Sequence, residues 1–186
     1  MTSPPLSLDG WAVLALLCEG DTHRWALVRA LAPEGEIGRV WSVRRALVYR
    51  SAELLIEAGL AERAGVEPGS RGSPRTLLRA SAAGRRAVAA WLAEPVAHVR
   101  ELRSALLLKL LFDDRGALDP RPLLAAQLTG LAQTVAALEA PAERDHGFEA
   151  TLRAFRLETA LAGRRFVEGE LARRARAASP GPSPNP

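Results

Sequence analysis

The chain has 186 residues, of which 48% are hydrophobic and 25% are charged, enough for one core or for a small domain with a helical extension. No apolar run approaches the roughly 20 residues that cross a bilayer, and no basic region precedes the first apolar run, so we expect a cytoplasmic protein without a signal peptide. The single cysteine, Cys18, excludes an internal disulfide and a zinc cluster.

The first half of the chain predicts three helices. Residues 8–18 are apolar almost all round, which favours a helix buried on several sides. Residues 22–31 predict a second helix, and a stretch with Pro33, Gly35 and Gly38 then interrupts the pattern. Residues 43–58 predict a third helix that is presented outward, which is the order of a helix-turn-helix.

The third predicted helix has recognisable ends and one apolar face. Ser42 is the predicted N-cap, because its hydroxyl can accept a hydrogen bond from a first-turn amide. Gly59 stands where a helix needs a left-handed stop. The face expected to be buried consists of Val43, Ala46, Leu47, Leu54, Leu55 and Ala58.

The other face of this helix carries cations at its leading end, where an isolated helix would prefer carboxylates. Ten arginines and four glutamates give residues 39–86 a net charge of +6, although the whole chain carries only +4. This concentration indicates a polyanionic partner, and DNA is the hypothesis that follows. The alternative is a solvated helix face in which Arg50 pairs with Glu53 or Glu57.

A hairpin is predicted after the third helix. Residues 60–67 and 76–80 predict two strands joined by a turn rich in glycine, serine and proline, which is the wing of a winged helix. Arg71 and Arg75 lie near its tip, where they could reach a minor groove or phosphates; the alternative is an ordinary solvated loop. Ser81 is the predicted cap of a fourth helix over 82–93.

The second half predicts only helices, after a boundary at Pro95. Residues 98–112 become apolar around the whole girth, and residues 120–139 repeat apolar positions four and three apart at Leu124, Leu128, Leu131, Val135 and Leu138. The final helix repeats the spacing at Phe148, Leu152, Phe155, Thr159, Ala162 and Phe166. Two such rows predict an antiparallel pair with coiled-coil packing, buried against the same pair of a second copy.

The predicted fold is therefore mostly α with a small β-hairpin. We expect a disordered start at 1–7, a winged helix-turn-helix domain at 8–94, an antiparallel helical dimerisation domain at 95–178 and a disordered tail at 179–186. The expected contacts with double-stranded DNA come from Ser42, Arg44, Arg45, Tyr49, Arg50, Arg71 and Arg75. Arginine matches guanine edges and phosphates, whereas serine and tyrosine suit phosphate hydrogen bonds or a thymine methyl group.

The chain resembles the PadR family of bacterial transcriptional regulators over almost its whole length. The matching segments are LALLCEGDTHRWALVRAL, VYRSAELLIEAGLAER, SAAGRRAVAAWL and, after Pro95, VRELRSALLLKLLF. Two positions depart from the family pattern. Arg24-Trp25 replaces the usual Gly-Tyr, and Ala80-Ser81 replaces the usual Leu-Thr.

The resemblance implies a homodimeric repressor that binds an inverted-repeat operator and is released by a small aromatic ligand. We expect no cofactor and no metal. Tryptophans are candidates for stacking on such a ligand by residue type alone, and core packing is the alternative for each. The ligand candidates are Trp11, Trp25 and Trp91, with Trp41 considered beside them.

Two other classes of function compete with this interpretation. An enzyme could use Cys18 with His23, but the thiol belongs to a helix expected to be buried, and no phosphate loop, HExxH or GxSxG motif is present. We therefore expect no enzymatic activity. A protein-interaction adaptor that keeps the winged helix but acts through its C-terminal helices, without DNA binding, is the other alternative.

Overall fold

The computed structural model describes residues 6–68, 74–140 and 146–178. The chain forms two compact units. The first comprises the residues up to Ala93 together with Arg103–Leu118, and the second comprises Glu94–Leu102 and the residues from Asp119 onward. Unlike the predicted division into 8–94 and 95–178, this division assigns 103–118 to the first unit, because Leu108 and Phe112 are buried in its core.

Helix α1 (Leu8–Glu19) is the centre of the first unit, and all its residues from Gly10 to Leu17 are buried, as the pattern predicted. Ser7, expected in a disordered start, caps the helix: its Oγ accepts from the amide of Gly10 at 3.2 Å. The other expected disordered residues, 1–5 and 179–186, lie outside the described ranges.

Helix α2 (Arg24–Leu31) begins two residues later than predicted, because Thr22–His23 forms a short strand, β1. The imidazole Nδ1 of His23 caps α2 by accepting from the amide of Ala26 at 3.0 Å. His23 is thus a capping residue at the junction between a strand and a helix.

Helix α3 (Arg45–Glu57) also starts later than predicted, and the prediction of Ser42 as its N-cap is wrong. The N-cap is Arg44, without a side-chain capping bond. The amide of Val43 donates to the carbonyl of Leu31 at 2.9 Å, which keeps this part of the chain extended. The predicted stop at Gly59 is confirmed: its φ is 69°, and the amide of Leu60 closes the last turn on the carbonyl of Leu55 at 2.9 Å.

The predicted buried face of α3 is wrong in part. Val43 and Leu55 are buried, but the helix buries Val48, Ser51 and Ala52 with Leu55, while Leu47 and Leu54 are 41% and 50% exposed. Ala46 and Ala58 are exposed as well. Because Val43 precedes the helix, it cannot set the helical phase, and the face that contacts α1 is rotated by about one residue, or 100°.

The predicted hairpin is confirmed as β2 (Ala61–Glu67) and β3 (Arg75–Ala80), and β1 adds a third strand. The sheet is antiparallel in the order β1-β3-β2, with Thr22 opposite Leu78. Between Arg63 and Gly65 the register shifts by one residue, and the carbonyl of Ala64 there accepts from Arg79 at 3.2 Å. Two-residue β1 is too short to produce an alternating pattern in the sequence.

Helix α4 (Ala82–Ala93) follows the sheet and has the predicted bounds. Ser81 caps it as predicted, because its Oγ accepts from the amide of Gly84 at 3.0 Å. The same hydroxyl donates to the carbonyl of Gly59 at 2.7 Å, which joins the end of α3 to the start of α4. The first unit is a winged helix-turn-helix.

The predicted helix over 98–112 is irregular at its start. A 3₁₀ turn (Val99–Glu101) and a π-helical turn (Leu102–Leu106) precede helix α5 (Leu107–Arg115). The prediction that apolar residues surround this helix on all sides agrees with the burial of Leu106, Leu108, Leu110 and Phe112.

The second unit contains α6 (Arg121–Glu139) and α7 (Phe148–Ala178), packed as an antiparallel pair. In α6 the predicted row lies on the inner face: Leu124, Leu131 and Val135 are buried, and Leu128 and Leu138 are half-buried. In α7 the predicted row does not face α6, because Phe148, Phe155 and Phe166 are 74%, 69% and 44% exposed. Ala160 and Val167 are buried instead. The helix has two apolar stripes, and spacing alone does not tell which one packs on α6.

In the described parts of the chain, every helix is too short or too polar to cross a bilayer.

Candidate nucleic-acid interface

The outward face of α3 presents three of the predicted DNA-binding arginines. Arg44, Arg45 and Arg50 are all exposed, and none of them is ion-paired with a carboxylate among the described residues. Tyr49 is half-buried between them. These cations are therefore available to an anionic partner.

Glu53, one turn further along α3, is ion-paired with two other arginines. Arg24 at the start of α2 forms an ion pair and a hydrogen bond with its Oε1. Arg63 of β2 lies 3.7 Å from its Oε2. The alternative interpretation in which Glu53 neutralises Arg50 therefore does not describe this face. Arg24 and Arg63 were missed in the sequence, because residues 29 and 10 positions from Glu53 leave no local pattern.

Aromatic rings hold two of the cations. The guanidinium carbon of Arg45 lies 5.5 Å from the ring centroid of Tyr49 and 5.8 Å from that of Trp25. The guanidinium carbon of Arg24 lies 6.0 Å from the Tyr49 centroid. All three distances are within the range of a cation–π interaction. Trp25 is 47% exposed and lies beside Arg45, the predicted DNA-reading arginine; its predicted role in ligand binding stays a prediction.

The other predicted DNA-binding residues surround this face. Ser42 is exposed in the chain that leads into α3. Arg75 is exposed at the first residue of β3, and its Nη1 lies 3.3 Å from Nε2 of His23. Arg71 lies outside the described residues. The geometry thus groups three of the seven predicted residues, Arg45, Tyr49 and Arg50, on α3, with Arg44 at its N-cap, and it assigns Arg75 to the sheet.

Trp11 and Trp91 lie in the core of the first unit. Each is 5% exposed, and their rings are stacked with centroids 5.2 Å apart and an interplanar angle of 3°. The Nζ atom of buried Lys109 lies 5.1 Å from the Trp91 centroid. Trp41 donates from Nε1 to Asp9 at 2.7 Å. These three rings have the packing roles that were the alternative for each tryptophan; ligand stacking stays a prediction.

A cleft of about 620 Å³ lies between α1, α4 and α5 within the first unit. Its wall includes Cys18, Arg85, Leu92, Phe112 and Arg115. Burial raises the pKa of the Cys18 thiol to about 11, although the charge of Arg85 opposes this. A thiol with this pKa is a poor nucleophile at neutral pH.

Arg115 at the end of α5 is tied to two other parts of the first unit. Its guanidinium donates to Glu19 at 2.6 and 2.7 Å and to Glu36 at 2.5 Å. The hydrogen bonds to Glu19, followed by those to Glu36, raise the pKa of Arg115. Among the described residues no group of three or more histidine, cysteine, aspartate or glutamate side chains is placed to hold a metal ion.

No model of a known protein family matches the chain, and no curated protein matches it. Solved structures do. Bacillus subtilis PadR in complex with operator DNA is 17% identical, with a TM-score of 0.47 and coverage of 90% of this chain and 99% of that chain. The protein smu.1604c from Streptococcus mutans UA159 is 14% identical, with a TM-score of 0.42 and coverage of 88% and 98%.

Bacillus subtilis PadR in complex with p-coumaric acid is 18% identical to the chain, with a TM-score of 0.40 and coverage of 92% of this chain and 97% of that chain. Two of these three structures are of a protein named PadR. At such identities no residue role is carried over from them.

Proposed function

We propose that the chain is a PadR-type transcriptional regulator without enzymatic activity, which binds an inverted-repeat operator as a homodimer and represses transcription. The observation that carries this proposal is the outward face of α3, where Arg44, Arg45 and Arg50 are exposed and without carboxylate partners among the described residues. In a helix-turn-helix this is the helix that enters the major groove.

Electrostatics at the start of α3 agrees with a phosphate partner. No side chain caps the helix, and the amide of Leu47 donates to the carbonyl of Arg44 at 2.9 Å, so among the described residues the amides of Arg45 and Ala46 are the ones left to bind an anion. The arginines at this end are unfavourable for the helix dipole in the free protein. A phosphate group would accept hydrogen bonds from the amides and neutralise the cations. It would thus take the place of the missing side-chain cap.

The proposed homodimer is supported by the exposed row on α7. Phe148, Phe155 and Phe166 leave a large aromatic surface uncovered by α6. Rows of exposed aromatic side chains of this size mark interaction sites. A second copy of the helix, related by a two-fold axis, would cover the row and would set two α3 helices against two half-sites.

Release from DNA by a small aromatic ligand is the further part of the proposal. The cleft between α1, α4 and α5 has a volume within the range of ligand sites. A ligand releases the protein only if it binds the DNA-free form better than the DNA-bound form. Titration with planar aromatic acids, monitored by tryptophan fluorescence with and without DNA, tests this; equal affinity in both states would refute it.

DNA binding is tested with the full chain and a duplex that it selects from a randomised library. If Arg44, Arg50 and Arg75 of both subunits each neutralise one phosphate, the affinity should fall about 10³-fold between 50 and 200 mM salt. Arg44→Ala should flatten the salt dependence, whereas Arg176→Ala, an exposed arginine near the end of α7, should leave it unchanged. Failure to select any sequence would refute the proposal.

An adaptor that acts through its C-terminal helices remains the second candidate function, and the same aromatic row on α7 favours it. Sedimentation of the chain, together with its DNA binding, separates the two. A dimer in which Phe155 is covered by the partner helix supports the regulator. A chain that binds no DNA, and whose contact with a partner helix does not weaken steeply with added salt, supports the adaptor, because helix–helix contacts do not release counterions.

A further inference from the structure

An alternating series of aromatic rings and cations crosses the outward face of the winged helix. Trp25 of α2 contacts Arg45 of α3, Arg45 contacts Tyr49, Tyr49 contacts Arg24, and Arg24 is paired with Glu53. The series joins the first residues of α2 to the first two turns of α3. Only one of its two cations, Arg45, has no carboxylate partner among the described residues.

We infer that Trp25 is a positioning residue for DNA recognition: with Tyr49 it holds Arg45 in place to read a guanine edge. This inference rests on the proposed function. It assigns base reading to Arg45 and leaves phosphate contacts to Arg44 and Arg50. It also assigns Trp25 to the DNA interface rather than to a ligand wall.

The contacts of the three arginines distinguish their roles. Arg45 lies within 6 Å of two ring centroids, 5.5 and 5.8 Å away. Among the described residues neither Arg44 nor Arg50 lies over an aromatic ring. A free arginine side chain loses much rotamer freedom when it docks on a base, whereas one already held by rings loses less. Arg45 is therefore the arginine that is preorganised for a hydrogen-bonded contact with a base.

A guanidinium held over aromatic rings suits base reading. The cation–π attraction uses none of its N–H donors in hydrogen bonds, so the donor edge of Arg45 is left for another partner. That edge matches the O6 and N7 acceptors of guanine in the major groove. A phosphate contact needs no such orientation, because a phosphate presents acceptors in many directions.

Arg24, which is paired with Glu53, lies over the Tyr49 ring as well. Glu53 accepts from Arg24 and lies 3.7 Å from Arg63, so its charge is compensated away from Arg45. The Arg24 side chain is only 24% exposed. This pair therefore fixes the tyrosine without competing for the arginine that reads DNA.

The test uses the full chain and the duplex that it selects most strongly. Each base pair of one half-site is replaced in turn, and the ratio of Kd values gives the discrimination at that position. Arg45→Ala should lose discrimination at one G·C pair. Trp25→Ala should weaken discrimination at the same pair by about 2- to 10-fold, the equivalent of immobilising one long side chain. Its salt dependence should equal that of the wild type, because no phosphate contact is removed.

Control variants separate positioning from other effects. Trp25→Phe keeps an aromatic face and should retain most of the discrimination. Trp25→Leu keeps apolar bulk without a π face and should behave like Trp25→Ala. Arg45→Lys keeps the charge, and should keep the salt dependence while losing discrimination. In an Arg45→Ala background, Trp25→Ala should have no further effect at the G·C pair.

Three results would overturn the inference while wild-type DNA binding persists. One is a Trp25→Ala variant with unchanged discrimination. Another is a loss of equal size in the Arg45→Ala background, which would mean that Trp25 acts through its own contact. The third is an equal loss at every position with a flattened salt dependence. Wild-type protein that selects no duplex would instead refute the proposed function itself, together with this inference.

A measurement on the free protein tests the arrangement without DNA. Ring currents should shift the side-chain proton resonances of Arg45 upfield of those of Arg44 in the wild-type NMR spectrum. Trp25→Leu should remove part of this shift, and unfolding by urea should remove all of it. Ordinary Arg45 resonances in the folded wild-type protein would overturn the inference even if a Trp25 variant failed to fold.

Discussion

Gly84, near the start of α4, is a position where a single added methyl group should disturb the winged helix directly. A Cβ atom there would lie 2.0 Å from the carbonyl oxygen of Leu60 and 3.1 Å from Cδ1 of Leu14. Since the first of these atoms belongs to the backbone, rotation of a side chain cannot relieve the overlap. Either α4 or the start of the hairpin has to move by about 1 Å to restore a tolerable contact.

The loss of stability can be worked out from the hydrogen bonds that this movement breaks. The amide of Leu60 donates to the carbonyl of Leu55 at 2.9 Å, and its carbonyl accepts from the amide of Ser81 at 2.9 Å. Losing these two bonds costs about 2 kcal/mol, more if the groups stay buried without partners. Replacing glycine by alanine within a helix by itself stabilises the helix by about 1 kcal/mol. With about 1–3 kcal/mol of overpacking strain, Gly84→Ala should destabilise the first unit by about 2–4 kcal/mol.

Gly10 of α1 provides the matched control. The atoms nearest to a Cβ there, in Leu6 and Ser7, are at an ordinary 3.5 Å, so Gly10→Ala should stabilise the same unit by up to about 1 kcal/mol. All four tryptophans belong to this unit, so urea unfolding monitored by fluorescence reports its stability. A Gly84→Ala variant as stable as the wild type, beside a stabilised Gly10→Ala, would refute the reasoning.

Four further predictions concern the site, the thiol, the second unit and the dimer. Arg45→Ala should weaken binding of the selected duplex by about 1–3 kcal/mol, measured by anisotropy. Because the pKa of Cys18 is raised from 9.0 to about 11, its thiolate fraction at pH 7 is about 100-fold lower, and alkylation of the native protein should slow accordingly. Hydrogen bonds from Arg173 and the following arginine lower the pKa of Glu170 from 4.5 to about 2. The resulting stability is present above pH 4.5 and lost as the pH falls towards 2, so Glu170→Gln should remove this part of the acid dependence of helix unfolding. Phe155→Glu should convert the proposed dimer into a folded monomer, measured by sedimentation.

Each of these predictions has a result that contradicts it. Unchanged affinity in Arg45→Ala would remove α3 from DNA reading. Rapid alkylation of Cys18 in the folded protein would mean that the thiol is accessible as its thiolate. Identical acid unfolding of the Glu170→Gln variant would show that the arginine contacts do not stabilise the helix. A Phe155→Glu variant that still sediments as a dimer would place the interface elsewhere, and Glu158→Ala on the same helix is the matched exposed control.

The elements whose signals are local agree with the structure. Gly59 adopts the predicted left-handed conformation, Ser81 caps α4, and the hairpin appears with the predicted strands. In each case the interaction that forms the element spans only a few residues, so the residue type and its sequence neighbours were sufficient to predict it. The phase of α3 was misjudged because Val43, which looked like the first apolar residue of the helix, is held in extended chain by Leu31.

Periodicity, caps and charge act over short distances, so the three-helix order, the wing, the helical second half and the concentration of arginine around α3 could be predicted from the sequence. Which residues meet across long separations depended on the tertiary structure. It assigned α5 to the first unit, turned the phenylalanine row of α7 away from α6, and engaged Glu53 with Arg24. It also brought Trp25 to Arg45, 20 positions apart, on one face. The physical reason is that burial and charge pairing depend on which surfaces remain uncovered once all the elements have packed.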